Sequence, residues 1–170
     1  YSFGIGGSIS FEEKLAKEFN CKVYCYDPTN IAINFMKNKN YDKELINFFE
    51  YGIWTLDDKV KFYTQNINNK FTGGSITNLF KNSEYEMLQC YKLSSLMKMN
   101  QHNNVDILKM DIEGAAIDVM NNIIDEKIYP RQVIVEFEYS ETDNIDVKEF
   151  NLWTDKLSTI ISKFKMNSYK

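Results

Sequence analysis

Asp111 and Glu113 end an apolar run, Val105 to Gly114 (V-D-I-L-K-M-D-I-E-G), which reads as a buried parallel strand running out into two carboxylates and a glycine. Open α/β sheets hold ligands outside the carboxyl ends of their strands, so both acids are expected to face a crevice. A second pair, Glu136 and Glu138, tips the later run Gln132 to Phe137 (Q-V-I-V-E-F). Because strand side chains alternate, Asp111 can share a direction with Glu113, and Glu136 with Glu138. Acids placed this way serve as general bases, as ligand-binding groups or as an oxygen-rich site for magnesium or calcium. No His or Cys joins them at a ligand spacing, so no metal site is expected. The plainer alternative is a set of solvated strand ends, with Glu113 interacting favourably with a helix dipole.

Two further features belong with these acids. Gly4, Gly6 and Gly7 lie between a strand and a helix, where glycine lets the backbone approach a ligand and the helix amino terminus adds partial positive charge. A tight strand-to-helix turn would need glycine in any case. The dinucleotide fingerprint G-x-G-x-x-G fails, because its last position holds Ile9. Asp27 ends the next strand about 20 residues later, the place of an acid that accepts bonds from ribose hydroxyls. Asp27-Pro28-Thr29 is equally good turn and helix-cap chemistry. If Asp27 accepts both ribose hydroxyls, its loss should weaken ligand affinity and leave stability nearly unchanged.

The elements that must position these residues alternate. Tyr1 to Phe3 reads as the tail of a strand. Ser10 to Phe19 reads as a helix capped by Ser10 with Glu13 three positions on, and Phe11, Leu15 and Phe19 share one face. Lys22 to Tyr26 reads as a strand, and Thr29 or Asn30 caps a second helix through about Asn38. Asn47 to Trp54 is expected to be a strand broken at Gly52. Lys59 to Tyr63 is strand-like, and Gly73-Gly74-Ser75 reads as a flexible turn. A polar, Met-bearing stretch precedes the Val105 to Met110 strand, and Ala115 to Ile124 follows as a helix. Val147 to Phe164 places Phe150, Trp153, Leu157, Ile160, Ile161 and Phe164 on one helical face. Alternating strands and helices imply a mostly parallel sheet with helices on both faces.

Composition bounds the partners. A chain of 170 residues, 44% hydrophobic and 15% aromatic, supports one core, so residues 1–170 are expected to form one domain. A net charge of -4 leaves no basic stripe for nucleic acid, and a small-molecule partner is expected. Cys21, Cys25 and Cys90 fit neither a C-x-x-C pair nor a zinc spacing, and read as reduced thiols in a cytosol-like compartment. No window offers the roughly 20 apolar residues of a membrane span, and no signal peptide is evident. Targeting residues upstream of Tyr1 are left open, and so is the oligomeric state. His102, the sole histidine, is expected in a polar loop.

Taken together, Y-S-F-G-I-G-G-S-I-S-F-E, C-Y-D-P-T and L-K-M-D-I-E-G-A resemble the FkbM-type S-adenosylmethionine-dependent methyltransferases, from Tyr1 to about Phe137. The Lys109 to Ala115 segment is the most specific part of the likeness. The resemblance implies a Rossmann-like α/β fold of the class I methyltransferase kind, with seven strands, the last two an antiparallel hairpin. The chain ends where a sixth strand would begin, near Met166 to Tyr169, so a domain trimmed at both ends is expected. The resemblance further implies S-adenosylmethionine as cofactor, with Gly4, Gly6 and Gly7 facing its methionine portion, Asp27 holding the ribose and Asp111 bordering the transferred methyl. Asp111, Glu113, Glu136 and Glu138 become candidates for base or acceptor contacts, and a small-molecule or saccharide hydroxyl becomes the expected acceptor. Two positions depart from the family pattern. Ser2 stands where many methyltransferases carry an acid, and Glu138 stands where members often carry His. These departures motivate an alternative, a catalytically degenerate Rossmann-like domain that binds a nucleotide or a partner. A nucleotide-sugar epimerase or dehydrogenase is disfavoured by Ile9 and by the lack of a Tyr-x-x-x-Lys pair at Tyr41 or Tyr85.

Overall fold

The computed structural model describes residues 1–67, 70–78, 84–139 and 146–168. In chain order the elements are β1 (Ser2–Phe3), α1 (Ser10–Phe19), β2 (Val23–Tyr26), α2 (Asn30–Asn38), β3 (Ile46–Phe49), β4 (Gly52–Ile53), β5 (Asp58–Ile67), β6 (Lys70–Ser75), β7 (Tyr85–Tyr91), α3 (Leu93–Met99), β8 (Ile107–Met110), α4 (Ala116–Asp125), β9 (Gln132–Val135) and α5 (Val147–Ser168). Among the described residues the strands form two sheets. One has the order β3-β2-β1-β8-β9, with every neighbour parallel. The other has the order β4-β7-β5-β6, in which β4 and β7 run parallel and the remaining pairs antiparallel.

The period-2 pattern of β2 explains why helices cover both faces of the large sheet. Val23 and Cys25 turn to one side, where they pack with Ile9, Ala16 of α1 and Ala32 and Met36 of α2. Tyr26 turns to the other, into a cluster with Phe3, Leu96 of α3, Leu108, Ile123 of α4 and Ile160 of α5. Leu108 and Ile123 are completely buried, and each such side chain contributes about 1.5 to 3 kcal/mol by leaving water. The result is a mixed α/β architecture consistent with a Rossmann-like fold. The chain starts in the middle of the sheet, winds outward through β2 to β3, and returns to lay β8 beside β1. The carboxyl ends of β1 and β8 therefore meet at a topological switch point, the place where such sheets open a crevice.

Several elements depart from the sequence expectations. Ser10 is the first residue of α1 rather than its cap, and the capping position falls on Ile9 with no side-chain cap bond. The inner face of α1 is Glu12 and Ala16, while Phe11 and Phe19 are exposed. Glu12 tolerates burial because the Ser2 hydroxyl donates to its Oε1 at 2.6 Å and Lys109 Nζ lies 3.9 Å away. Thr29 caps α2 as expected, accepting from the Ala32 amide at 3.3 Å. The Asn47 to Trp54 run divides between two sheets. Gly52 opens β4, where an added Cβ would meet Cys90 Sγ at 2.6 Å. Gly73-Gly74-Ser75 lies inside β6 instead of forming a turn, and the Met-bearing stretch contains β7 and α3. At the end of the chain α5 continues to Ser168, so Met166 to Ser168 are helical instead of starting a sixth strand, and Tyr169 lies outside the described residues. Ile160 is buried under α5, whereas Phe150 and Ile161 at the margins of the apolar stripe are exposed. No described helix is long and apolar enough to cross a membrane.

Candidate active site

The glycine loop after β1 divides into two kinds of position. Gly4 has φ +74, donates its N–H to the Tyr26 carbonyl at 3.1 Å, and sits so close to β8 that an added Cβ would fall on the main-chain carbonyl of Asp111. Its lack of a side chain is demanded by strand packing. Gly6, at φ +52, and Gly7 have no atom within 4 Å of where a Cβ would stand. They border open space.

Asp27 ties this loop to the end of β2. Its Oδ2 accepts the Gly6 N–H at 2.9 Å, and its Oδ1 accepts the Thr29 N–H at 2.9 Å and the Thr29 hydroxyl at 2.6 Å. An ionised carboxylate offers about four acceptor positions, so the three bonds leave capacity for about one further donor. Asp27 is only 4% exposed. These three bonds fit the turn and helix-cap reading of Asp27-Pro28-Thr29, and removing the carboxylate would strand three donors.

These residues surround a cavity of about 460 Å³, within the range of small-molecule sites. Gly4, Gly6, Gly7, Asp27, Asp111 and Glu113 line one wall. The small sheet supplies another part of the lining through Gly52, Ile53, Phe62 and Gly74, joined by Ile76 just past β6. Sequence reasoning missed that wall. Its signal was Gly52 and Gly74, since glycine inside a strand marks a close approach of backbone.

Asp111 and Glu113 reach the cavity by a route other than strand alternation. β8 stops at Met110, and the chain then turns, with Glu113 at φ +48 and Gly114 at φ +78. Glu136 and Glu138 lie beyond the end of β9 and do not line the cavity. Glu136 is exposed. Glu138 is half-buried and hydrogen-bonded to Glu113, with one carboxyl oxygen buried without a partner. Burial raises its pKa above the ordinary value, and the charges of Glu136 and Asp111 add to the rise, against the lowering effect of bonds from Glu113 and the Gly114 main chain. Ser2, at the family's acidic position, sends its hydroxyl to Glu12 and stays out of the cavity. His102 also stays out of it, with Nδ1 2.9 Å from the Tyr1 hydroxyl near the amino ends of the strands. Cys21, Cys25 and Cys90 are free thiols, and burial pushes Cys25 and Cys90 up to about 12.

The glycine loop, the acid after β2 and the acidic turn after β8 thus meet in one cavity at the switch point. The methyltransferase FkbM domain model matches residues 4–162. The chain belongs to this family. The matched region takes in the glycine loop, the acidic turn, the small sheet and every strand of the large sheet except β1, so nearly all of the cavity lining belongs to the methyltransferase domain. No curated protein and no solved structure matches the chain.

Proposed function

We propose that this methyltransferase-family domain binds S-adenosylmethionine in the cavity at the switch point and passes its methyl group to an oxygen nucleophile, a hydroxyl of a small molecule or sugar. The observation that carries the reading is the open space at Gly6 and Gly7 next to the buried Asp27 carboxylate, in a cavity of about 460 Å³. A cradle that a Cβ would fill, beside an acid with acceptor capacity left over, suits a nucleoside with an extended tail.

In this reading Gly6 and Gly7 give the methionine portion room, Asp27 accepts one ribose hydroxyl, and Ile53, Phe62 and Ile76 exclude water. The bound sulfonium supplies a methyl carbon that is already activated. The protein's own share is orientation and removal of one proton. A lone pair of the acceptor oxygen forms the new O–C bond as the S–C bond breaks and its electrons pass to sulfur, and the hydroxyl proton leaves to a carboxylate. Asp111 and Glu113 are the base candidates in the cavity. Glu138 reaches the acceptor side only through Glu113.

The reading is tested by supplying methyl-labelled S-adenosylmethionine with a panel of sugar and small-molecule hydroxyls. Label should appear on at least one acceptor, and Asp111→Asn should lower that turnover by about a hundredfold, the scale of lost general-base assistance. Labelling of no hydroxyl despite cofactor binding would contradict the reaction, and wild-type turnover in the variant would remove Asp111 from it.

A further inference from the structure

Ser75 belongs to β6 of the small sheet and is fully buried. A serine hydroxyl has one proton to give and two lone pairs to offer. Its proton goes to the main-chain carbonyl of Glu113 at 2.5 Å. The Thr77 amide donates to the same oxygen at 3.2 Å. Because the serine proton is already committed, the 3.0 Å contact between the Ser75 and Thr77 hydroxyls has Thr77 as donor. The hydroxyl is saturated, and its one donated bond joins the small sheet to the acidic turn of the large one.

That turn is a place where the chain resists its own conformation. Glu113 has φ +48, a left-handed backbone that side chains beyond glycine and asparagine seldom adopt. Backbone preference does not favour this arrangement. The Ser75 bond holds it, and it comes from an element that sequence reading leaves as a turn.

We propose that Ser75 is a positioning residue whose hydroxyl, delivered by the small sheet, fixes Glu113 in its left-handed conformation and so presents the Glu113 carboxylate to the cavity. The functional half of this inference rests on the cavity being the S-adenosylmethionine site. The structural half does not.

Two measurements test it. In Ser75→Ala, the Ala115 amide, which bonds to the Ile112 carbonyl across the turn at 3.3 Å, should exchange its hydrogen about tenfold faster or more. The Asp27 amide, bonded to the Phe49 carbonyl at 3.2 Å elsewhere in the sheet, should stay within about twofold, which separates a loosened turn from general destabilisation. Methyl transfer from S-adenosylmethionine should fall about tenfold in Ser75→Ala but less than about twofold when the same change is made in a Glu113→Gln background. Ser75→Cys, close in size and a weaker donor, should give an intermediate Ala115 rate, and it replaces the alanine variant if that variant does not fold. An unchanged Ala115 rate, or equal losses of methyl transfer in the two backgrounds, overturns the proposal. If the wild type binds no S-adenosylmethionine, the reading of the cavity falls instead, and the Ala115 amide still decides whether Ser75 holds the turn.

Discussion

Gly4, after β1 of the large sheet, and Gly74, in β6 of the small one, line the same cavity, and each is required by a close approach of a different kind. At Gly4 an added Cβ would strike the main chain of Asp111, which follows the paired end of β8 and donates its amide to the Phe3 carbonyl at 3.1 Å. At Gly74 it would first strike the ring of Phe62, a side chain with torsional freedom, and next meet the Tyr63 carbonyl at 3.2 Å. The wall built by the large sheet is therefore fixed by backbone, and it carries the acids. The wall built by the small sheet is set by side chains, and it carries the apolar surface. Chemistry and shape are divided between two sheets of different rigidity, so substitutions in the two walls should fail differently.

The largest effect is expected from the glycine pair itself. Gly4→Ala should cost about 3 kcal/mol or more in chemical denaturation, because backbone must move and a positive φ is lost to glycine alone. Gly74→Ala should cost about 1 kcal/mol, with its main effect on the cavity through displacement of Phe62. Equal costs would erase the proposed difference between the walls.

Asp27→Ala comes next. Loss of its carboxylate leaves the Gly6 and Thr29 amides and the Thr29 hydroxyl without their acceptor, and should cost about 1 to 3 kcal/mol while also weakening S-adenosylmethionine binding. Loss of affinity at unchanged stability would mean that the hydrogen bonds to the loop contribute nothing to the fold.

The smallest effect is one of pH. Folding raises the pKa of Glu138 above its ordinary value near 4.5, through burial first and neighbouring carboxylates second, so the folded state favours the protonated form. That contribution is complete below the ordinary value and is lost as pH rises through the folded one. Glu138→Gln stays neutral throughout. Its denaturation midpoint should therefore gain on the wild type as pH rises above the ordinary value, and a constant difference from there to neutral pH would contradict the assignment.

The large sheet was legible because its signals are local. Val105 to Met110 and Gln132 to Phe137 are apolar runs of strand length, and Thr29 caps α2 with its own side chain. The small sheet was illegible because its strands answer to distant partners. β5 is mostly polar, and β7 bears exposed Tyr85 and Met87. Gly74 in β6 is explained by Phe62, twelve residues away, a relation that periodicity along the chain does not record. The same holds for α1. Its apolar periodicity pointed to Phe11 and Phe19, yet the buried position belongs to Glu12 because Ser2 and Lys109 receive its charge from other strands. Within the candidate site, the presence of the glycine loop, of Asp27 and of Asp111 with Glu113 was readable from spacing, while the left-handed turn that carries Glu113 was not, since the run reads as continuous strand. Ser75 and the apolar wall were not, because their roles exist only once the two sheets meet.

The central claim is that the cavity between the two sheets is the S-adenosylmethionine site. Calorimetric titration of the wild type and of Gly6→Ala tests it most directly, since Gly6 faces open space and its substitution crowds the cavity without striking the protein. The account predicts one-to-one binding by the wild type, lowered at least about tenfold in Gly6→Ala, with only about 1 kcal/mol of stability lost to the left-handed backbone. No heat of binding from the wild type, or equal affinity in the two proteins, would contradict it.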